Sequence, residues 1–449
     1  MRSGRPACKV RFFRIIRRTF PFPYEVVRWQ EKNLENRQTI SRKDTKEPIG
    51  KKPVVGGSTM PLVNETFIKK IHHLPKKVVL VVSGGGSGAL AALLEVPGAS
   101  HTLLEGVVPY SEEAMVQFLG GRPDQFCSAS TSRAAAMVAF RRGLRYEPTP
   151  EHIAGVAATA SLVSDRPKHG PHRAHVAIQT LSTTISYSVE LQKGARSRSE
   201  EEHVVSCMVL NAVAEGAGVE ERIPVPLLPE ETIQSTRAEA PSSWQDVLLG
   251  RRPALMVGQT PKAPTASLRG IFSGAFNPRH RGHDRMVEVA QQVYGLHVEY
   301  EISLENVDKP PLDYYELARR LEQFGPEEPV WVTRAATFLE KAELFPAATF
   351  LVGADTLRRI ADPKYYSTQA GAQDAWQRIV AQGCRFLVFG RDLGKGFIRL
   401  GDLELPESLR AICREVPPEQ FREDISSTAL RRSGQWETSS GRGTLPPVE

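Results

Sequence analysis

The sequence predicts a two-domain α/β protein whose C-terminal domain is a doubly wound parallel sheet. Short apolar segments alternate with helical patterns from residue 268 to 434, the order expected of parallel strands joined by crossover helices. A further strand–turn–helix pattern begins at Lys76 and opens an earlier α/β domain. With 449 residues the chain is too long for one hydrophobic core, so more than one domain is expected.

Composition divides the chain into five segments. We expect the following order: a basic, disordered extension at 1–59, a first domain at 60–218, a Pro-rich linker at 219–267, a second domain at 268–434 and a disordered tail at 435–449. The prolines of the linker leave room only for a short helix around Trp244 to Leu249. A transit-like or membrane-surface role for residues 1–59 stays open as an alternative.

Charge and cysteine usage narrow the class of protein. Residues 1–59 contain 15 Lys and Arg but only 5 Asp and Glu, whereas the remaining residues contain 43 Lys and Arg and 46 Asp and Glu. The basic excess therefore belongs to the extension, and nucleic-acid binding by the folded part is not expected. Because the five cysteines show no paired spacing and no apolar run reaches a membrane span, we expect a reducing, cytoplasmic location without an integral membrane segment. If the extension is a transit peptide, we expect import into an organelle instead.

A glycine-rich turn follows the first predicted strand. Val78–Val82 predicts a buried strand, Ser83–Gly88 a turn and Ala89–Glu95 a helix. Such a turn suits a phosphate, because free N–H groups converge at the helix start. It lacks the Gly-Lys-Ser/Thr ending of a Walker loop and does not match the dinucleotide pattern. Alone, it indicates a tight turn more readily than a site.

Later segments of this domain give the turn a context. Pro97-Gly98, Gly106–Ser111, Ala154–Ala160 and Gly194-x-Arg196 follow in an order that resembles the C-terminal domain of the CinA family over residues 76–218. That family is known for nicotinamide-nucleotide amidase activity. The resemblance implies an α/β domain, places Ser83 at the nucleophilic serine and places Tyr110 at the tyrosine of a Tyr-Ser motif.

The same resemblance indicates that the amidase site is vestigial. The lysine that the family keeps five residues after the tyrosine is Met115 here. A serine without a neighbouring base is a poor nucleophile. We therefore expect this domain to bind a nucleotide or to serve as a scaffold.

The second domain opens with its most informative stretch, Gly270–His283. It predicts a buried strand, a turn at Asn277-Pro278, and the pattern His280-x-Gly282-His283 at the start of a helix. The N-terminus of a helix after such a turn favours an anion, because its free N–H groups and its dipole point to one place. Two imidazoles there could stabilise the charge that develops in phosphoryl or nucleotidyl transfer.

Further strands are predicted at 296–304 and 330–333, in the stretch from Thr349 that leads to Gly353-Ala354-Asp355, and at 385–391. The first alternates apolar and polar residues, which predicts one solvated face. In a doubly wound sheet the ligand lies at the carboxyl ends of the strands.

A second signature, Ser426-Ser427-Thr428 followed by Arg431, lies near the end of the chain. Ser426 or Ser427 can cap a short helix, and Arg431 lies one turn further along the same face. Hydroxyl groups and a guanidinium that converge in this way suit a triphosphate.

Together with Gly353-Ala354-Asp355, the two signatures resemble those of nicotinate/nicotinamide-mononucleotide adenylyltransferases, over about residues 268–433. The resemblance implies a Rossmann-like nucleotidylyltransferase domain. It also implies a reaction of NAD biosynthesis, in which ATP, with Mg²⁺, transfers AMP to a pyridine mononucleotide and releases pyrophosphate.

The resemblance assigns roles to individual residues, with no metal site built from protein side chains. Catalytic residues are His280, His283 and Arg431. Residues that bind ATP or its phosphates are Ser273, Gly274, Phe276, Asn277, Gly282, Ser426, Ser427 and Thr428. Residues that bind the acceptor are Gly353, Asp355 and Lys309.

Several alternatives stay open. The acceptor could be another molecule, such as phosphopantetheine; the protein could be bifunctional, with Ser83 deamidating the mononucleotide; or it could be a non-catalytic nucleotide sensor. The sequence does not decide whether the acceptor is the acid, nicotinate mononucleotide, or the amide, nicotinamide mononucleotide. It also leaves open whether the protein is a monomer or a homo-oligomer.

Overall fold

A computed structural model describes residues 65–166, 168–258, 268–366, 368–392, 396–423 and 425–433. The predicted extension at 1–59 and the predicted tail at 435–449 lie outside these residues. The described residues belong to one compact unit that contains two large sheets. The predicted α/β fold is confirmed.

The N-terminal domain is built around a mixed six-stranded sheet in the order β2-β1-β3-β4-β5-β6. Its strands are β1 Lys77–Ser83, β2 Leu103–Val107, β3 Ile153–Ser161, β4 His172–Gln179, β5 Thr183–Leu191 and β6 Gln234–Glu239. Its helices are α1 Glu65–His72, α2 Ser87–Glu95, α3 Ala99–Thr102, α4 Glu112–Leu119, α5 Ala129–Gly143 and α6 Arg198–Ala217.

Strand β1, next to the edge strand β2, shows how helices cover both faces of this sheet. It pairs in parallel with both β2 and β3, while β4, β5 and β6 add antiparallel pairs. Val78, Leu80 and Val82 pack on the side of α6, whereas Val79 and Val81 pack on the side of α5. Because alternate residues of a strand face opposite sides, the continuous apolar run of β1 matches a strand covered on both faces.

The C-terminal domain contains a seven-stranded sheet in the order β15-β12-β11-β8-β9-β10-β7. Its strands are β7 Ala254–Val257, β8 Leu268–Ser273, β9 Leu296–Ser303, β10 Val330–Thr333, β11 Thr349–Gly353, β12 Arg385–Phe389 and β15 Cys413–Val416; the pair β13 Arg391–Asp392 and β14 Phe397–Ile398 forms a separate ribbon. Its helices, counted from the connection between the domains, are α7 Ser242–Leu248, α8 Arg281–Gln292, α9 Tyr314–Leu321, α10 Phe338–Leu344, α11 Ala354–Ile360, α12 Gln369–Ala381, α13 Glu407–Arg410 and α14 Ser427–Ser433.

The order of the parallel strands locates the ligand crevice. From β8 the chain adds β9 and β10 on one side, then returns to add β11, β12 and β15 on the other. This is the strand order of the doubly wound nucleotide-binding fold, and the direction of winding reverses between β8 and β11. Ligands bind in such sheets at the carboxyl ends of the two strands that flank this point.

The segment predicted as a linker contributes to both sheets. The predicted helix is present as α7, but residues on either side of it also form strands. Strand β6 pairs with β5 at the edge of the first sheet, and β7 pairs antiparallel with β10 at the edge of the second. Edge strands tolerate nearby prolines, which is why the proline content of this segment did not reveal them.

The expectation of a solvated face on β9 is wrong. Glu301 is fully buried and Glu299 is 8% exposed. Lys341 Nζ lies 2.8 Å from Glu301, and the guanidinium of Arg269 lies 2.7 Å from Glu299. Glu299 and Glu301 are thus buried, and their charges are held by partners from other elements.

The two domains meet through a buried ionic cluster. Arg133 on α5 lies 3.2 Å from Asp313 and 3.2 Å from Glu316, at the start of α9. Next to it, the Tyr314 hydroxyl donates to the Leu181 carbonyl at 2.7 Å. These contacts fix α9 against the N-terminal domain. No helix formed by the described residues is long and apolar enough to cross a bilayer.

Candidate active site

A cleft lies at the carboxyl ends of β8, β11 and β12, next to the point where the winding of the sheet reverses. It is lined by His280, Gly282, His283, Met286, Gly353, Phe389, Gly390, Arg391, Phe421, Glu423 and Ile425. Both predicted histidines and the predicted Gly353 are therefore brought together. A shallower depression lies on the N-terminal domain between α1 and the end of α6, away from these residues.

The loop from β8 to α8, residues 274–280, is held by hydrogen bonds to its backbone carbonyls. Four consecutive carbonyls each accept a hydrogen bond from a side chain: Ala275 from Arg320 at 3.0 Å, Phe276 from Gln323 at 2.8 Å, Asn277 from Arg431, and Pro278 from Ser427 at 2.9 Å. The donors come from α9 and the residues just after it, and from α14. The histidine loop, as we call residues 274–280, is therefore fixed by elements outside itself.

Phe276 combines a strained backbone conformation with a tightly packed side chain. Its backbone adopts φ 43°, a left-handed conformation that is strained for a residue with a large side chain. Its ring is 1% exposed and packs edge-on against Phe272 and Phe324. Aromatic packing of this kind compensates for backbone strain, and only the backbone of Phe276 is left for a ligand.

The two histidines form a stacked pair at the start of α8. Their ring centroids lie 3.8 Å apart with an interplanar angle of 23°. The His280 backbone N–H donates to His283 Nδ1 at 3.1 Å. Both ring nitrogens of His280 are buried and have no hydrogen-bond partner among the described residues. A buried polar group without a partner is costly, so this ring is suited to a ligand atom.

The surroundings of both imidazoles favour the neutral form. Burial lowers the pKa of His283, and with the proximity of His280, Arg391 and Arg279 this pKa falls to about 3. Burial and the charge of Arg391 also lower the pKa of His280. Since Nδ1 of neutral His283 accepts a hydrogen bond, its proton is assigned to Nε2. His283 can therefore donate one hydrogen bond from Nε2 while its ring is held in place.

Arg391 is a cleft residue that the sequence analysis missed. It follows the end of β12, lies in the cleft and is close enough to both histidines to lower their pKa values. Its guanidinium lies 3.9 Å from Asp355. The available signal was a basic residue directly after a buried parallel strand, where ligands gather.

Two of the predicted acceptor residues lie at the same end of the sheet. Asp355 lies in the first turn of α11, and its Oδ1 is buried without a hydrogen-bond partner among the described residues. A Cβ on Gly353 would lie 2.7 Å from that oxygen. Glycine at position 353 therefore gives the Asp355 carboxylate room to turn toward the strand ends.

Several predicted phosphate-binding side chains have partners within the protein. The hydroxyl of Ser273 donates to the buried Glu301 at 2.6 Å, and Arg319 donates to the side-chain oxygen of Asn277 at 2.8 Å. Ser426 is the residue that caps α14, because its Oγ accepts from the Ala429 N–H at 3.1 Å. Ser427 instead holds the histidine loop.

Two predicted glycines make room for neighbouring rings. A Cβ on Gly282 would lie 3.1 Å from the His280 ring and 3.0 Å from Ile425. A Cβ on Gly274 would lie 2.7 Å from the ring of Phe276. Both positions thus allow the close packing of the histidine loop.

Arg431 reaches the turn of the histidine loop, but its guanidinium also has an acidic partner. Nε lies 2.8 Å and Nη2 lies 3.3 Å from the carboxylate of Asp124, in the N-terminal domain. Nη2 also lies 3.5 Å from Oγ1 of Thr428, a residue that is otherwise exposed. The N-terminal domain therefore touches a predicted catalytic residue directly.

Lys309 lies in a strongly cationic neighbourhood. Desolvation and the charges of Arg320, Arg359 and Arg431 lower the pKa of Lys309 to about 8. By surface area, however, Lys309 is an exposed residue. An amine surrounded by like charges favours an anion in its vicinity.

The residues predicted to form a vestigial amidase site lie near the end of β1. Ser83 Oγ donates to the carbonyl of Pro109 at 3.0 Å, beside the exposed Tyr110. Met115, where the resemblance implies a lysine in related proteins, is 2% exposed and packs in an apolar cluster. At the start of α2, Glu202 accepts from Ser87 Oγ at 2.9 Å. A protein carboxylate thus lies where the glycine-rich turn could have received a phosphate.

Comparison with known protein families gives a match in the C-terminal part of the chain. Residues 271–433 match the model of the cytidylyltransferase-like family, which belongs to the nucleotidylyltransferase superfamily and supports a nucleotidyltransferase activity in general. Comparison with curated proteins gives no match.

Solved structures of competence/damage-inducible proteins are similar to about a third of the chain. CihA of Agrobacterium tumefaciens is 20% identical, with 34% of this chain and 92% of that chain covered and a TM-score of 0.27. The protein from Enterobacter asburiae is 17% identical, with 34% and 95% covered and a TM-score of 0.28. ComA of Klebsiella pneumoniae is 16% identical, with 35% and 98% covered and a TM-score of 0.28. At these identities the likeness concerns fold alone.

Proposed function

We propose that the protein is an adenylyltransferase that transfers AMP from ATP to nicotinate or nicotinamide mononucleotide and releases pyrophosphate. The observation that carries this proposal is the His280 ring, whose two nitrogens are buried without a partner among the described residues. The ring lies at the cleft, at the start of a 12-residue helix. A neutral ring that must find a partner, set where free backbone N–H groups favour an anion, suits a phosphate.

The surrounding groups suit the triphosphate of ATP. His283 can donate from Nε2, and Arg391, which also lines the cleft, adds a positive charge. Arg431 contacts the histidine loop through the carbonyl of Asn277, and Thr428 lies beside Arg431. Donors fixed before the substrate arrives stabilise developing charge without reorganisation, which is where most of the rate acceleration in such reactions arises.

The reaction needs no protein nucleophile. An oxygen of the mononucleotide phosphate attacks the α-phosphorus of ATP and forms a new P–O–P bond, while the bond from the α-phosphorus to the leaving pyrophosphate breaks. The protein aligns the two phosphates and stabilises charge on the oxygens. Lys309, in its cationic surroundings, is proposed to bind the acceptor phosphate, and Asp355 to orient the acceptor.

Magnesium is expected to enter with ATP. This ion is held mainly by phosphates and water, so it needs little more than one carboxylate from the protein. The buried Oδ1 of Asp355, which lacks a hydrogen-bond partner among the described residues, fits that need. Bound to ATP, the ion supplies charge neutralisation for the leaving pyrophosphate.

The N-terminal domain is proposed to act as a scaffold for this reaction. Met115 in place of a lysine removes the base from Ser83, and Glu202 occupies the helix start beside the glycine-rich turn. Its contacts with α9 and with Arg431 support a structural and positioning role.

Pyrophosphate release by the purified chain tests the proposal. ATP and Mg²⁺ are combined with nicotinate mononucleotide, nicotinamide mononucleotide or phosphopantetheine, with CTP in place of ATP as a further arm. We expect turnover with ATP and a pyridine mononucleotide. In His283→Ala, kcat should fall by at least about a hundredfold, the usual effect of removing such a donor. Turnover only with phosphopantetheine or only with CTP would replace the proposed substrates, and silence in every arm would contradict the proposed activity.

A further inference from the structure

The loop between α4 and α5 of the N-terminal domain lies directly on the proposed transferase site. A Cβ on Gly121 would lie 2.6 Å from the carbonyl oxygen of Asp308 and 2.7 Å from Cα of Lys309. The backbone at Gly121 is therefore packed against the segment that carries the proposed acceptor lysine. Three residues further on, Asp124 reaches Arg431.

The Asp124 carboxylate uses the side of the Arg431 guanidinium that an anion would need. Arginine has five N–H donors. Nε and one N–H of Nη2 point to Asp124, the second N–H of Nη2 points to Thr428, and Nη1 donates to Asn277. These contacts with described residues leave one donor for a substrate, so a triphosphate that binds Arg431 through more than one hydrogen bond must share or displace the carboxylate.

We propose that Asp124 is an affinity-determining residue of the transferase site, which competes with the ATP triphosphate for Arg431. This inference rests on the proposed function, because it takes Arg431 as a triphosphate ligand. The competition is limited in strength. The Asp124 side chain is 66% exposed, so it can turn into water at little cost, and exposed ion pairs contribute little free energy.

The experiment compares the full chain with Asp124→Asn, which keeps the shape of the side chain and removes its charge. The KM for ATP and the equilibrium binding of MgATP are measured at low and at high salt. We expect Asp124→Asn to bind ATP about two- to fivefold more tightly at low salt, as suits an exposed pair, with kcat little changed. The difference should shrink at high salt, because exposed charges are screened.

Glu112→Gln is the matched control. Glu112 belongs to the same domain and forms an exposed pair with Arg122 at 2.7 Å, so the variant removes the same charge without touching Arg431. We expect its ATP affinity to equal that of the unaltered chain. An equal gain in both variants would show a general charge effect and would overturn the proposal.

Other outcomes also decide the matter. Unchanged or weaker ATP binding in Asp124→Asn overturns the competition, and a lower kcat with unchanged binding assigns Asp124 to positioning Arg431 instead. If no acceptor gives turnover, the proposed reaction fails on its own, while MgATP binding still supports or overturns the role of Asp124. If neither the unaltered chain nor Asp124→Asn binds MgATP, both the proposed reaction and the proposed role of Asp124 are overturned.

Discussion

At the scale of single residues, the site is defined by groups whose surroundings keep them poised for an anion. His280 has two buried nitrogens without a partner among the described residues, His283 is held neutral, and Lys309 is crowded by arginines. Each of these features is costly or unfavourable in the free protein, and each would be relieved by a bound phosphate.

The neutral state of His283 makes stability depend on pH. In the folded protein the pKa of His283 is about 3, whereas an unfolded chain takes up that proton near pH 6.5. Below about pH 6.5 the unfolded state binds more protons, so the free energy of unfolding falls as the pH drops from about 6.5 toward 3, by at most about 1.4 kcal/mol per pH unit from this group. Denaturant unfolding between about pH 7 and pH 5 should show a weaker pH dependence in His283→Asn. The same pH dependence of the free energy of unfolding in the unaltered chain and in His283→Asn would contradict this account.

Lys309 gives a second pH effect if it binds the acceptor phosphate. Its pKa of about 8 means that raising the pH through this value removes its positive charge. The KM for the mononucleotide should then rise above about pH 8, by at most about tenfold per pH unit. Lys309→Arg keeps the charge and should show no such rise. The same rise in that variant would assign the effect to another group.

At the scale of elements, the histidine loop is a rigid part held by its neighbours. Gln323, just after α9, donates to the Phe276 carbonyl and accepts from the Arg279 N–H, both at 2.8 Å. Gln323→Met should lower the free energy of unfolding by about 1–3 kcal/mol, because two backbone groups lose their partner. It should also lower kcat more than it changes the KM for ATP.

Chemical denaturation and steady-state kinetics check this prediction. Gln292→Met is a suitable control, since Gln292 is exposed on α8 and is bonded only weakly, at 3.4 Å, to Glu288. If both variants behave like the unaltered chain, the loop does not depend on Gln323.

The elements differ in how well their sequence revealed them. Runs such as Val78–Val82 and Val330–Thr333 predicted their strands closely, because apolar and β-branched residues favour them strongly. Strand β9 was recognised, but its buried face was not, since Glu299 and Glu301 look solvated until their partners from other elements are known. The same holds for Ser273 and Ser427, whose partners Glu301 and Pro278 are distant in sequence. Local patterns identify elements, whereas long-range contacts decide what each side chain does.

At the scale of the whole molecule, the two domains are joined by buried charges. The side chain of Arg133 is 6% exposed and lies between the N-terminal domain and the start of α9. Through Glu316 the cluster continues to Arg319, 3.1 Å away, which holds Asn277 of the histidine loop. The N-terminal domain therefore supports the loop through α9.

Loss of Arg133 should destabilise the whole chain. Arg133→Met leaves the carboxylates of Asp313 and Glu316 buried without this partner, which typically costs about 3–5 kcal/mol. Calorimetry should show a markedly lower Tm for Arg133→Met. The exposed Arg122→Met should change Tm little. The same Tm in both variants would show that the contacts of Arg133 with Asp313 and Glu316 do not stabilise the protein.

The central claim is that nucleotidyl transfer occurs at the cleft beside His280 and His283. Its most direct test is chromatographic detection of the dinucleotide formed from ATP and a pyridine mononucleotide, by the full chain, by His280→Asn and by His73→Asn. His73 is exposed on the N-terminal domain, just after α1, and serves as the matched control. We predict product with the unaltered chain and with His73→Asn, and a rate lower by about a hundredfold or more with His280→Asn. Undiminished product formation by His280→Asn would contradict the claim.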